Sequence, residues 1–214
     1  MDKTVPAGAA LLLDFIGDTE APQGYDTIYG NNQRKLAKPV TNMTLAEVQA
    51  AQSGWTKTYG SSATGRYQFM KKTLAGLIVE LRLSTSQKLD ADLQDRLAFH
   101  LLKRRGYEAY MAGKISRTEF GKRLAQEWAS FPVLADVRGA SRNVTRGQSY
   151  YAGDGLNKAL VAPAAVEAVL DRVRAAGNAV PTVVAAPQPV VLEPANDNAP
   201  GFWARLFAAF RRAA

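Results

Sequence analysis

The chain has 214 residues, of which 47% are hydrophobic, so it can bury the core of one medium-sized domain and still carry extra segments. With 27 basic and 19 acidic residues its net charge is +8, which favours a polyanionic partner such as nucleic acid, anionic lipid or bacterial cell wall, without choosing among them. There is no cysteine and one histidine, His100, so disulfides, thiolate metal sites and histidine-rich zinc sites are excluded, and Ser-His-Asp catalysis would have to use that one residue.

The first part of the chain is predicted to contain two helices separated by a loop-rich segment. Apolar residues at helical spacing predict a helix over residues 9–19, followed by a loop over residues 20–32, in which residues 25–29 fit a short strand. Thr44-Leu-Ala-Glu47 fits a capping box and predicts a helix to about residue 53. The apolar run at residues 7–13 is too short for a signal peptide, and no run reaches the about 18 residues of a membrane span, so we expect neither.

The next part of the chain, up to residue 177, is predicted to contain four helices and one long loop. Helices are expected at residues 67–83, 90–105 and 163–177, and a further one after Ser116-Arg-Thr-Glu119, a second capping box. Trp128 lies on the apolar stripe of that further helix, so we assign it to the core. Residues 136–155 are rich in Gly, Ser and Arg and indicate a loop.

The composition changes near residue 178. Residues 178–200 hold half of the chain's ten prolines and almost no charge, which is typical of an extended linker, and residues 201–214 form a basic amphipathic pattern. We therefore expect a domain at 1–177, a linker at 178–200 and a tail helix at 201–214. Three roles stay open for the tail: contact with an anionic membrane, docking to a partner protein, or folding back on its own domain. The candidates for membrane contact are Phe202, Trp203, Arg205, Phe207, Phe210 and Arg211.

The segment YGSSATGRYQFM, residues 59–70, nearly spells a phosphate-binding loop. A nucleotide loop needs Lys followed by Ser or Thr, because the ammonium group reaches the phosphates and the hydroxyl binds magnesium. Here the pair is Arg66-Tyr67, and no buried strand precedes the segment. The pattern therefore argues against nucleotide binding and indicates a loop ahead of a helix, a place where clefts often form.

Glu20 lies at the predicted end of the first helix. The negative end of the helix dipole, together with any burial, disfavours the carboxylate and would raise its pKa, as a general acid requires. The alternative is a solvated surface glutamate, which is the commoner situation. Asp18 and Asp26 lie near it in sequence, and either could supply a second carboxylate.

Four blocks of residues occur one after another along the chain. The first is a helix ending in Glu20 and followed by Gly24-Tyr25-Asp26. The second is SSATGRYQFM, the third is EWASFP at 127–132, and the fourth is RGQSYYAGDGLN at 146–157. In this order the blocks resemble the bacteriophage lambda endolysin family, the lambda-type lysozymes of glycoside hydrolase family 104 in the lysozyme-like superfamily. The similarity spans about residues 10–175 and excludes the linker and the tail.

The resemblance implies an α+β fold that is mainly α, a lysozyme-like domain with a small β element, which we place near residues 25–60, and a cleft between that element and the helices. It implies Glu20 as the catalytic residue. Arg66 has a structural alternative, an ion pair that braces the fold. The substrate-binding candidates are Tyr25, Asp26, Ser62, Arg66, Tyr67, Gln68, Gln148 and Tyr150.

The resemblance also implies a reaction, cleavage of the β-1,4 bond between N-acetylmuramic acid and N-acetylglucosamine in peptidoglycan by a lytic transglycosylase. One glutamate acts as acid and then as base on the muramoyl 6-hydroxyl, so 1,6-anhydro products form without cofactor or metal. The residues flanking Glu20 depart from the lambda protein, so a hydrolytic muramidase with a second carboxylate stays open. A non-catalytic peptidoglycan-binding virion protein is the other alternative, and a nucleic-acid binder is suggested only by charge.

The expected partners are peptidoglycan glycan strands and, through the tail, an anionic membrane or the outer envelope. We expect no nucleic-acid partner and a monomeric protein. The expected location is the host bacterial cytoplasm before release, with action on the wall in the periplasm.

Overall fold

The protein is mainly helical in its computed structural model, which describes residues 1–177. One antiparallel sheet of two short strands, β1 and β2, accompanies the helices, with Val137 opposite Val144. This confirms the predicted fold class, α+β and mainly α. The α-helices are α1 Ala7–Glu20, α2 Leu45–Tyr59, α3 Lys71–Glu80, α4 Ala91–Arg104, α5 Tyr107–Met111, α6 Arg117–Glu127 and α7 Pro163–Ala176; the strands are β1 Val137–Arg138 and β2 Asn143–Val144; and two 3-10 helices span Tyr29–Lys35 and Val40–Asn42.

The two predicted capping boxes both begin helices. At α2 the Thr44 hydroxyl accepts the Glu47 backbone N–H at 3.2 Å, and the Glu47 carboxylate accepts the Thr44 backbone N–H at 2.8 Å. At α6 the Ser116 hydroxyl accepts the Glu119 backbone N–H at 3.0 Å. Each bond satisfies a backbone donor that the first turn of a helix leaves free, which is why these helices begin where the sequence predicts.

The predicted position of the small β element is wrong. The sheet lies in the hairpin of residues 137–144, inside the segment that we expected to be a loop. Between residues 25 and 60, Ile28 forms only an isolated antiparallel bridge to Thr64. The chain then enters a 3-10 helix in which Gly30 and Asn31 have φ of 68° and 57°, so a strand cannot continue through them.

The core is built around α1, which packs mainly against α7 and also against α4. Leu12, Leu13 and Ile16 of α1 are fully buried. Gly8 allows the close approach of α7, because a Cβ at this position would lie 2.6 Å from the Val173 carbonyl oxygen. The packing fixes the direction of α1 and so places its last residue, Glu20. None of the helices in residues 1–177 has the length and apolar character needed to cross a bilayer.

Candidate active site

A cleft of about 780 Å³ lies beside the end of α1. Its lining comes from Glu20, Pro22 and Leu101, and from several residues in each of the stretches 27–31, 60–73, 127–130 and 151–160. Each of the four sequence blocks described above contributes part of this lining. The cleft therefore gathers residues far apart in sequence around one carboxyl group.

Glu20 lines this cleft, and its environment favours the protonated acid. Burial raises the pKa of Glu20 above its ordinary value, while a hydrogen bond donated by the Ser130 hydroxyl to Oε1 lowers it. The burial effect is the larger, so the net direction is upward. A carboxyl group with a raised pKa can donate a proton near neutral pH, which is the chemistry of a general acid.

Ser130 lines the cleft and contacts Glu20, and the sequence reasoning did not single it out. It follows α6 in a segment held at both ends: the Trp128 indole N–H donates to the Tyr67 carbonyl at 3.3 Å, and the Ser130 carbonyl accepts the Leu160 N–H at 2.7 Å. Trp128 is buried, as predicted, although it also lines the cleft. The block EWASFP was the available signal, but nothing in it shows that its serine reaches Glu20.

The turn at residues 65–68 brings Tyr67 and Gln68 into the cleft. Two constraints favour glycine at position 65: its φ is 78°, and a Cβ there would overlap the Gln94 amide oxygen. That same oxygen accepts the Arg66 backbone N–H at 2.9 Å. Gln68 itself has φ of 50° and donates from its amide to the Gly65 carbonyl at 2.8 Å. Because of this turn, α3 begins at Lys71. Our prediction that the helix begins at residue 67 is therefore wrong.

Tyr67 is among the residues that line the cleft, but it is almost fully buried and its hydroxyl is bound to α4. The Tyr67 hydroxyl donates to Asp95 Oδ1 at 2.6 Å, and the Tyr25 hydroxyl donates to the same oxygen at 2.9 Å. Burial and then Asp95 raise the pKa of Tyr67 and raise that of Tyr25 to about 12. Both phenols are therefore neutral donors committed to Asp95. Asp95 is fully buried on α4 and was not singled out from the sequence, although it lies between apolar positions of a helical stripe.

Several other predicted substrate-binding residues do not line the cleft. Tyr25 lies behind Tyr67, with the two rings edge to face at 6.4 Å. Tyr150 packs edge to face on Tyr151, and Tyr151 is the residue of that pair that lines the cleft. The side chains of three candidates instead accept backbone N–H groups: Asp26 from Thr41 at 2.8 Å, Ser62 from Lys71 at 3.0 Å and Gln148 from Thr145 at 3.1 Å.

Arg66 lies on the outer face of α1 rather than in the cleft. Its guanidinium contacts Asp18 at 2.8 Å and Asp14 at 3.5 Å and lies 5.4 Å from the centre of the Tyr25 ring. Gly17 makes room for it, because a Cβ there would overlap the Arg66 side chain. These contacts brace the turn at 65–68 against α1, which was the structural alternative for this residue.

Glu127 is the second acidic residue that lines the cleft within residues 1–177. It ends α6, and the Arg105 Nε donates to its carboxylate at 2.6 Å. Asp18 and Asp26, the two sequence candidates for a second carboxylate, do not line the cleft. Among the residues described, no group of three or more His, Cys, Asp or Glu side chains could hold a metal ion.

A family model described as Endolysin matches residues 16–156, which include Glu20, the turn at 65–68 and Ser130. The chain belongs to the endolysin family. Membership of this family indicates a phage lysin that degrades peptidoglycan. A search of curated proteins and a search of solved structures each gave no match. The membrane-contact candidates between Phe202 and Arg211 lie outside the described residues, as do the predicted linker and tail.

Proposed function

We propose that this endolysin is a lytic transglycosylase of the bacteriophage lambda type, which cleaves the β-1,4 bond between N-acetylmuramic acid and N-acetylglucosamine. The observation that carries the proposal is Glu20, a carboxyl group with a raised pKa in a cleft of about 780 Å³. The cleft is large enough for several sugar rings, and such concave sites are where ligands bind.

In the first step Glu20 donates its proton to the glycosidic oxygen, and the bond from the muramoyl C1 to that oxygen breaks. The ring carbon that develops positive charge is then attacked by the 6-hydroxyl of the same muramoyl residue. Glu20, now a carboxylate, takes the hydroxyl proton, and the new bond between O6 and C1 closes the 1,6-anhydro ring. No water is consumed, and Glu20 returns to its protonated state.

The Ser130 hydroxyl supports both roles of Glu20. It donates to Oε1, so it stabilises the carboxylate that forms after the first proton transfer and fixes the direction of the other oxygen. Burial acts in the opposite sense and keeps the acid protonated before the reaction. The two effects together favour a group that changes protonation state within each turnover.

A hydrolytic muramidase is the second candidate, and Glu127 is the observation that favours it. A hydrolase needs a second carboxylate to activate a water molecule or to attack the sugar, and Glu127 lines the same cleft. The Arg105 Nε holds the Glu127 carboxylate in place at 2.6 Å.

Mass spectrometry of digested peptidoglycan distinguishes the two reactions. The transglycosylase gives muropeptides one water molecule lighter than hydrolysis products, and Glu127→Gln still gives them. Products of full mass with a reducing end, lost in Glu127→Gln, would replace this proposal by the muramidase. If the wild type released no soluble product, the remaining hypothesis would be a non-catalytic peptidoglycan-binding protein.

The place of action follows from the substrate, because peptidoglycan lies outside the cytoplasmic membrane. We propose that the protein is made in the host cytoplasm and acts on the wall in the periplasm as a monomer. Contact of residues 201–214 with an anionic membrane or the outer envelope stays a prediction, supported by the basic amphipathic pattern of that segment.

A further inference from the structure

The mouth of the cleft is unusually apolar for a solvent-exposed surface. Seven large hydrophobic side chains are exposed in residues 1–177, and four of them line the cleft: Tyr29 at 46%, Met70 at 47%, Leu156 at 83% and Leu160 at 68% exposure. Exposed apolar groups gathered in one place usually contact a ligand or partner. Leu156 and Leu160 are the two most exposed of the four, and both belong to the segment of residues 151–160.

Lys158 lies between these two leucines and also lines the cleft. It is exposed, and among the residues described it is the one basic side chain in the lining, which otherwise carries the carboxyl groups of Glu20 and Glu127. Lys158 forms no ion pair with any residue of the described range. An ammonium group donates hydrogen bonds to neutral oxygens as well, but it pairs most strongly with an anionic group.

The segment that carries Lys158 is held by its own hydrogen bonds. The Asp154 carboxylate accepts the backbone N–H groups of Leu156 and Asn157, each at 2.9 Å. At its two ends the segment is tied to the stretch that positions Glu20: the Tyr151 hydroxyl donates to the Gln126 carbonyl at 2.7 Å, and the Leu160 N–H donates to Ser130. Lys158 therefore lies on a hydrogen-bonded turn in the lining of the same cleft as Glu20.

We propose that Lys158, flanked by Leu156 and Leu160, binds a carboxylate on the lactyl-peptide substituent of muramic acid. This inference rests on the proposed function, because it concerns the same cleft and the same polymer. Muramic acid differs from N-acetylglucosamine by its lactyl ether, which ends in a carboxylate or continues into a peptide that carries carboxylates. The ammonium group of Lys158 pairs with that charge, and the two leucines cover the apolar methyl and methylene groups beside it.

The expected effect is modest because Lys158 is exposed. Exposed ion pairs change affinity by about two- to fivefold and are screened by salt. Lys158→Gln should raise the apparent KM for peptidoglycan by about that factor at low ionic strength, with kcat unchanged, since the carboxylate is bound equally before and during the reaction. Lys158→Arg should retain most of the wild-type affinity, and Lys114→Gln, an exposed lysine away from the cleft, serves as the matched control.

The test measures initial rates of fragment release against substrate concentration on three polymers. These are intact peptidoglycan, the same material with its carboxyl groups converted to neutral methylamides, and glycan strands stripped of peptide so that a free lactyl carboxylate remains. On intact peptidoglycan the apparent KM of Lys158→Gln should exceed that of the wild type, so that their ratio departs from one. On the methylamide the two apparent KM values should be equal. A departure on intact peptidoglycan is due to the carboxylates of the peptide, because the lactyl carboxyl is an amide wherever a peptide is attached. A departure on the stripped strands shows that Lys158 also pairs with the free lactyl carboxylate, and none there assigns the peptide carboxylate alone.

Two outcomes would overturn the inference while leaving the enzyme's activity in place. One is an equal apparent KM for wild type and Lys158→Gln on intact peptidoglycan at low salt. The other is the same ratio on the methylamide as on the charged wall, which would show that the lysine does not contact a carboxylate. If the wild type cleaves none of the three polymers, it is the proposed function that fails, and the two failures are thus distinguishable.

Discussion

Removing the Ser130 hydroxyl should shift the pH dependence of the reaction in a direction that the structure dictates. The hydroxyl donates to Glu20 and stabilises its carboxylate form, so Ser130→Ala leaves that form with one donor fewer. The pKa of Glu20 should then rise further. Because the first step needs the protonated acid, the alkaline limb of kcat/KM against pH should move to higher pH.

The magnitude follows from the strength of the lost bond. A hydrogen bond to a charged group contributes about 1.5–3 kcal/mol, and the lower end applies here because Glu20 is only half-buried and water can partly replace the donor. About 1.4 kcal/mol corresponds to a roughly tenfold shift of the protonation equilibrium toward the acid. Near the optimum the rate should fall several-fold, because the carboxylate that must accept the 6-hydroxyl proton is less well held.

The assay is release of soluble fragments from labelled peptidoglycan over a series of pH values, for wild type, Ser130→Ala and Ser149→Ala. Ser149 is a matched control: it is buried nearby, and its hydroxyl donates to the Ala129 carbonyl at 2.7 Å rather than to Glu20. An alkaline limb that stays in place in Ser130→Ala, or moves to lower pH, would refute the assignment of Glu20 as the acid. An equal shift in Ser149→Ala would attribute the effect to disturbed packing.

Three further predictions concern stability and the tail. Gly65→Ala should destabilise the fold by more than about 1 kcal/mol in denaturant titration, because φ is positive and the added Cβ meets Gln94; unchanged stability would contradict the described turn. Glu20→Gln should raise the melting temperature at neutral pH, because the raised pKa of Glu20 in the folded state makes the wild type less stable as the pH rises above the ordinary value of 4.5. A gain in melting temperature that does not shrink toward acid pH would contradict that cause. Deleting residues 201–214 should spare activity on purified wall but weaken lysis of whole Gram-negative cells, and equal lysis would remove the membrane role.

The helices were predictable where their causes are local. The apolar stripe of α1 and the capping residues of α2 and α6 act within one or two turns, and the structure confirms these helices. The start of α3 was missed because a turn with Gln68 at positive φ precedes it. That turn is held by side chains from two other helices: Gln94 accepts the Arg66 N–H, and Gln52 donates to the Phe69 carbonyl at 3.0 Å.

The site shows the same division. Glu20 was predictable because a carboxyl group at the end of a helix is a feature of the local sequence. Ser130 and Asp95 were not, because the contacts that define them join distant positions, and Ser130 lies 110 positions from Glu20. Arg66 was named from its sequence block, but its place is set by Asp18 on α1, which no local pattern reveals.

The most direct test of the account is the rate at which Glu20→Gln releases soluble fragments from purified peptidoglycan, relative to the wild type. Glu108→Gln makes the same chemical change at an exposed position of α5 and serves as the control, with the folded state of both variants checked by thermal unfolding. We expect a loss of at least about a hundredfold for Glu20→Gln, since general acid catalysis contributes that much or more, and no loss for Glu108→Gln. Release by folded Glu20→Gln at a rate close to wild type would contradict the role of Glu20.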